Sequence, residues 1–357
     1  MLRYPAINRI LVGKALPVIS ALADSLKLNS GVREDVCTLG GSLESVIEVE
    51  HVYDLELLTY PSFALPLFDV SGSGLVKRYG FCSGLRVKAS PYGYVVSHGD
   101  PRCVEYSRFI LGLWFDPELY YGGVSGDFKP VVSALLEAYR GFGLSVSPFD
   151  DLAVFTSIVL SRRTDYHVNT VRWLRSLLEL YGDLAVVASV DPGELSSRIS
   201  RSFHLRMLPG LVRCYLGVRG EALSGVEGAR GLFKCSGVGP KTFYSYILHV
   251  LLDTSYAPID VNLEVFLENM GFGGFGLKPQ RGYCALYDCN SCPLRSSCME
   301  ARLREHLGRL TGWFQTVAYV HVKRFCRRGA CSSCSLRSLC VRSSQGGRLG
   351  GLQPLRA

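Results

Sequence analysis

Acidic residues almost vanish toward the end of this 357-residue sequence: positions 301 to 357 hold one, Glu305, against eleven Lys or Arg. That stretch alone carries +10, so the rest of a chain whose net charge is +8 comes to −2. Charge is scarce overall, 20% of residues against 48% hydrophobic, which excludes a disordered, self-repelling chain and leaves ample material for packed cores. Long apolar runs are missing too, and none approaches the roughly 18 to 20 residues that a membrane span needs. The opening MLRYPAINRI lacks the basic-then-apolar order of a secretory signal. These absences predict a soluble, intracellular chain with no membrane partner, long enough for two domains.

What is abundant is localised. A concentrated basic end on a soluble chain favours a polyanion, nucleic acid being the common one. Of thirteen cysteines, eight fall into two short clusters, whereas Cys37, Cys82, Cys103, Cys214 and Cys235 are scattered singly. A chain of this size is not a small secreted disulfide scaffold, so the clusters read as metal ligands and the single cysteines as buried small hydrophobes.

The texture changes once along the chain. Residues 41 to about 115 carry β-branched and aromatic runs broken by turn formers, VSGSG at 70–74, SPYGY at 90–94 and SHGDP at 97–101, which predicts antiparallel β-structure. From about 129 onward KPVVSALLEAYR, PFDDLAVFTSIVL, HVNTVRWLRSLLELYG and PKTFYSYILHVLL repeat apolar residues at three-to-four spacing, the signature of bundled helices. Ser147 with Pro148 predicts a helix N-cap followed by the first helical residue. The expected organisation is α+β: a β-rich domain over 1–125, a helical domain over 126–345 and a flexible Gly-rich tail over 346–357.

Within the helical part, GVGPKT at 237–242 places Gly237 and Gly239 around Val238, ahead of a helix starting near Pro240. Two glycines permit a tight hairpin, and the helix start offers unpaired amides and a positive dipole end, which together suit a phosphate. Lys241 is followed nineteen residues later by Asp260 in PIDVNLEVF. The pair resembles the helix-hairpin-helix DNA glycosylases, in which such a hairpin supplies a nucleophilic lysine and a downstream ID or VD supplies an essential aspartate. The resemblance implies Lys241 and Asp260 as the catalytic pair. Breaking an N-glycosidic bond builds positive charge on the sugar, which a carboxylate offsets, while an amine attacking the anomeric carbon leads to a Schiff base.

Further segments narrow the likeness. PFDDLAVFTSIVLSRRTD is similar to the family's helix that ends in a polar pair in the minor groove, here Arg162 and Arg163 where Gln or Asn is usual. FILGLWFDPELYYG, SFHLRMLPG with His204, and GWFQTVAYV resemble the 8-oxoguanine glycosylase branch, with its β domain ahead of the bundle. That likeness implies a base pocket of Gln315, Tyr319, Ser245 and Asn262, the last two standing where the family often has cysteine and histidine. His204 and the hairpin residues Gly237, Val238 and Gly239 are implied as DNA contacts.

Cys284, Cys289, Cys292 and Cys298 form C-x4-C-x2-C-x5-C over 284–298, and Cys326, Cys331, Cys334 and Cys340 repeat that spacing over 326–340. Four close thiolates suit a [4Fe-4S] cluster or an all-cysteine zinc site. The second quartet is similar to the cluster loop of endonuclease III-like glycosylases, with a first gap of four residues instead of six. One cluster is expected and two are possible, with zinc the alternative for one quartet. Arg324, Arg327, Arg328, Arg337 and Arg342 surround the second loop and are expected to face phosphates, Arg327 and Arg328 foremost. The expected function is a monomeric bifunctional glycosylase/lyase that excises an oxidised purine, 8-oxoguanine first, from double-stranded DNA. The alternatives are an endonuclease III-like enzyme for oxidised pyrimidines or alkylated bases, and a non-catalytic iron-sulfur DNA-binding protein.

Overall fold

A computed structural model describes residues 37–39, 42–72 and 74–341. Arg342 and the expected tail over 346–357 lie outside the described residues. Among the described residues six strands, β1 (Cys37–Leu39), β2 (Ser42–Glu48), β3 (Phe68–Ser71), β4 (Gly74–Lys77), β5 (Arg86–Ser90) and β6 (Gly93–His98), pair antiparallel in the order β1-β2-β6-β5-β4-β3. Register follows side-chain alternation: Leu75 faces Val87 and Val87 faces Val96, which puts one apolar row on the covered face. SPYGY makes the β5–β6 turn, Ser90 pairing with Gly93.

The β-structure expected to about 115 ends instead at His98. A short helix α1 (Leu55–Thr59) interrupts the strands, and α2 (Arg102–Ile110) follows them. The reason lies in the period: Cys103, Tyr106, Phe109 and Ile110 are buried at helical spacing, and SHGDP brings Pro101 to the helix start.

The bundle comprises α3 (Phe128–Ala138), α4 (Asp151–Leu160), α5 (Val171–Tyr181), α6 (Pro192–Arg198), α7 (Phe203–Ala222), α8 (Val226–Ala229), α9 (Pro240–His249), α10 (Val261–Asn269), α11 (Arg281–Leu286), α12 (Met299–Leu307) and α13 (Thr311–Arg324). Helix α4 is buried nearly all round, as a central helix must be. Asp151 at its start takes two bonds from Arg219 of α7, at 2.7 and 2.6 Å.

Ser147 stands at the N-cap position with Pro148 next, as expected, but its side chain makes no capping bond to the helix amides. Pro148–Asp150 form a 3-10 turn first, and the Ser147 hydroxyl donates to Asp150 at 2.6 Å while sharing a bond with Tyr106. The Asp150 carboxylate also accepts from the buried Lys77 ammonium of β4 at 2.7 Å, joining the sheet to the bundle. The scattered cysteines differ from expectation as well. Cys82 pairs with Cys103 and Cys214 with Cys235, both with a sequence separation of 21, whereas Cys37 lies in β1. Partner choice among single cysteines depends on which Cα atoms the fold brings within bridging distance, here 5.6 Å in both pairs, and spacing does not reveal this. Among the described residues no helix is long and apolar enough to cross a membrane.

Candidate active site

The hairpin runs from Cys235 to Gly239. Gly237 adopts φ +85°, a left-handed conformation that favours glycine, and Val238 turns inward as its buried anchor. The hairpin's carbonyls are held from two sides: an Arg162 guanidinium nitrogen donates to Gly237 O, and Arg281 Nε to Val238 O at 3.0 Å. The Cys214–Cys235 disulfide fixes the hairpin's entry to α7. With its carbonyls capped, the turn leaves amides at the start of α9 for an anion.

Lys241 is the second residue of α9, exposed, and without an ion pair or hydrogen bond among the described residues. Asp260 is the N-cap of α10. Its carboxylate accepts from the Asn262 and Leu263 amides at 3.1 and 2.9 Å, and from Asn262 Nδ2 at 3.2 Å. Asn262 thus does not open onto a base pocket: its Nδ2 holds Asp260 while its Oδ1 accepts from Arg327 Nε at 3.1 Å.

Gln315 and Tyr319 lie one turn apart on α13. Gln315 is 7% exposed, and its side-chain amide has no hydrogen-bond partner among the described residues. The Tyr319 hydroxyl meets His167 Nε2 at 3.5 Å, and Tyr60 stacks on the His167 ring with centroids 3.9 Å apart. Burial, then the charge of nearby groups including Asp260, raises the Tyr319 phenol, which puts Tyr319 within electrostatic reach of the aspartate. Burial pushes the His167 imidazole down to about 4, so it is neutral at physiological pH. Ser245, one turn after Lys241, is fully buried with an unpartnered hydroxyl.

The polar pair after α4 divides. Arg162 is tied to the hairpin and to Val159 O, whereas Arg163 is exposed with φ +50°. His204 braces that loop through both ring nitrogens, to Arg162 O at 2.5 Å and Ser202 Oγ at 3.0 Å, and is therefore not free to reach out. Beside it Phe203 is 66% exposed. Sequence reasoning missed Phe203, Tyr60 and His167. Phe203 stood inside the quoted SFHLR segment, where an aromatic at a helix start was the available signal, but no motif marks Tyr60 or His167.

The two quartets are gathered differently from the other cysteines. None of the eight takes part in a disulfide, whereas four other cysteines form two among the described residues. Cys284, Cys289, Cys292 and Cys298 line one cavity with Tyr244, whose hydroxyl lies 3.4 Å from both Cys284 and Cys289 Sγ. Burial pushes the Cys289 thiol up to about 12 and the buried Glu300 carboxyl beside it to about 8. Cys326, Cys331, Cys334 and Cys340 lie within electrostatic reach of one another, and Cys334 Sγ lies 3.4 Å from His321 Nε2. Among the described residues no three His, Cys, Asp or Glu side chains close on a single ion. By their donor chemistry alone, four thiols suit either an iron-sulfur cluster or an all-cysteine zinc ion.

No family model matches the sequence, and no characterised protein matches it by sequence. Among solved structures the chain is similar to the Clostridium acetobutylicum 8-oxoguanine glycosylase/lyase in complex with double-stranded DNA containing cytosine opposite 8-oxoG, at 13% identity and a TM-score of 0.60, over 81% of this chain and 98% of that one. The apo form of that enzyme matches at 14% identity and 0.60, over 81% and 99%. The 3-methyladenine DNA glycosylase of Archaeoglobus fulgidus matches at 13% and 0.56, over 78% and 98%. Strand order, hairpin and bundle therefore make one architecture, the α+β helix-hairpin-helix glycosylase fold.

Proposed function

We propose that this protein is a DNA glycosylase with an associated abasic-site lyase activity, acting on an oxidised purine in double-stranded DNA, with 8-oxoguanine the first substrate. The observation that carries the reading is Lys241, unpaired and exposed at the start of α9 behind an arginine-capped hairpin, with Asp260 fixed at the N-cap of α10. Hairpin amides hold the backbone phosphate, and the base swings out of the stack. Phe203 is available to fill the gap it leaves, with Arg163 beside the orphaned partner. The Gln315 amide offers both a donor and an acceptor to the base edge, next to the ring of Tyr319.

In the reaction the Lys241 Nζ–C1′ bond forms as the glycosidic bond breaks, the proton shed by the attacking amine leaving on the base while the Asp260 carboxylate offsets charge on the sugar. Ring opening gives the Schiff base, and loss of a C2′ proton then expels the 3′ phosphate. Each cysteine quartet is read as the ligand set of one [4Fe-4S] cluster, with zinc the alternative for one of them. Such a group when bound supplies a rigid cross-link between loop and bundle, with reversible one-electron chemistry.

Borohydride trapping on a duplex containing an abasic site tests the nucleophile. Wild type should leave a covalent adduct and Lys241→Gln none, with duplex binding retained because the hairpin is intact. Trapping at full yield by Lys241→Gln would sink the assignment. A panel of single-lesion duplexes tests the substrate: 8-oxoguanine should be released ahead of guanine, thymine glycol and 3-methyladenine, and Gln315→Ala should narrow that margin.

A further inference from the structure

Resting on the glycosylase reading, we infer that Arg327 is a positioning residue: by fixing the side-chain amide of Asn262, it sets the orientation of the Asp260 carboxylate. The observation is a chain of side-chain hydrogen bonds across 65 residues of sequence. Arg327 Nε donates to Asn262 Oδ1 at 3.1 Å, and Asn262 Nδ2 donates to Asp260 Oδ2 at 3.2 Å. The other carboxylate oxygen accepts the Asn262 and Leu263 amides.

Donor chemistry makes the arrangement directional. A guanidinium only donates and an ionised carboxylate only accepts, so an amide between them has one satisfactory orientation, oxygen to Arg327 and nitrogen to Asp260. Asn262 is 5% exposed, so reversing or vacating that amide would leave a buried polar group unpaired. Backbone amides anchor only Oδ1 of Asp260, and the Asn262 bond fixes rotation of the carboxylate about that anchor. Arg327 directly follows Cys326, so the position of the second cysteine loop is transmitted to the aspartate. The role differs from phosphate docking, which the charge of Arg327 alone suggests.

Single-turnover excision at saturating enzyme, alongside duplex affinity, tests the inference with Arg327→Ala, Asn262→Ala and the double variant. Each single change should slow excision about 10-fold at saturation, and the double should be no slower than either single, since both remove one coupled unit. Abasic-site trapping through Lys241 should stay within a few-fold. A docking role would weaken affinity and leave the rate at saturation unchanged, and that result, or multiplicative losses in the double, overturns the inference. If wild type excises no lesion at all, the glycosylase reading fails, and the linkage is then read by NMR. The Asn262 side-chain amide signals, identified by their loss in Asn262→Ala, should shift in Arg327→Ala; unmoved signals overturn it.

Discussion

Burial alone pushes the His249 imidazole down to about 3, and its Nδ1 has no partner among the described residues. The ring lies two turns beyond Lys241 on α9 and meets Phe63 edge-on at 4.9 Å. In the unfolded chain a histidine titrates near 6.5, so below that pH the unfolded state takes up a proton that the folded state refuses until about 3. Stability is therefore lost as pH falls from 6.5, at up to about 1.4 kcal/mol per unit for this one group. Between pH 7 and 5 wild type should lose about 1–2 kcal/mol more than His249→Leu, whatever the substitution costs at pH 7. Urea midpoints at the two pH values measure it, and parallel losses in both proteins would remove His249 from the account. At this scale the sequence places Lys241 near a helix start and Asp260 at a helix N-cap, as the structure does, because both belong to one local motif with fixed spacing. The partner of Asn262 was not, since Arg327 is adjacent only after folding.

The hairpin and its braces belong to the scale of elements. Its carbonyls are capped from the loop after α4 and from α11, and its entry is tied to α7 by the Cys214–Cys235 disulfide, so three distant segments define one turn. A bridge closing a loop of this length stabilises by about 3 kcal/mol in the chain-entropy account. Cys214→Ser/Cys235→Ser should cost about that much and also weaken duplex binding, because the amides proposed to hold the phosphate lose a fixed base. Cys82→Ser/Cys103→Ser, which frees the loop after β4 from α2, should cost stability with affinity intact. Chemical denaturation and fluorescence anisotropy separate the two, and equal affinity in both variants would count against the bracing role. The helices from 129 onward were legible from their three-to-four spacing, and strands β3 to β6 from the turn formers at 70–74 and 90–94. Helix α2 was not, because its apolar residues stand in a region dense with β-branched and aromatic neighbours. Ser147 marks the start of the turn as its sequence suggests, but the partner of its hydroxyl was not legible: it is Asp150, held by the buried ion pair with Lys77.

Across the whole molecule the two cysteine quartets divide the proposed catalytic pair between them. The first touches the helix of the lysine: Tyr244, three residues after Lys241 on α9, lies against Cys284 and Cys289, and Arg281 of the same loop caps the hairpin carbonyl. The second touches the aspartate: Arg327 reaches Asn262, and Cys334 meets His321 on the helix that carries Gln315 and Tyr319. Tyr244, Arg281 and Arg327 each reach a segment 40 or more residues away, so the repeated spacing marks the two quartets as candidate ligand sets without showing what each loop supports. If each quartet holds a cubane, anaerobically purified protein should contain about eight irons per chain, falling to about four in either Cys292→Ser or Cys334→Ser. The functional losses should then diverge. Cys292→Ser, loosening α9 and the hairpin, should reduce trapping on a preformed abasic site along with excision. Cys334→Ser, loosening the Arg327 contact, should slow excision by about 10-fold while trapping on the abasic site persists, since that step requires the lysine more than the oriented carboxylate. Excision and abasic-site trapping measured on the same preparations decide between this division and a common structural role. Equal losses of both activities in the two variants would mean that the loops merely hold the fold together.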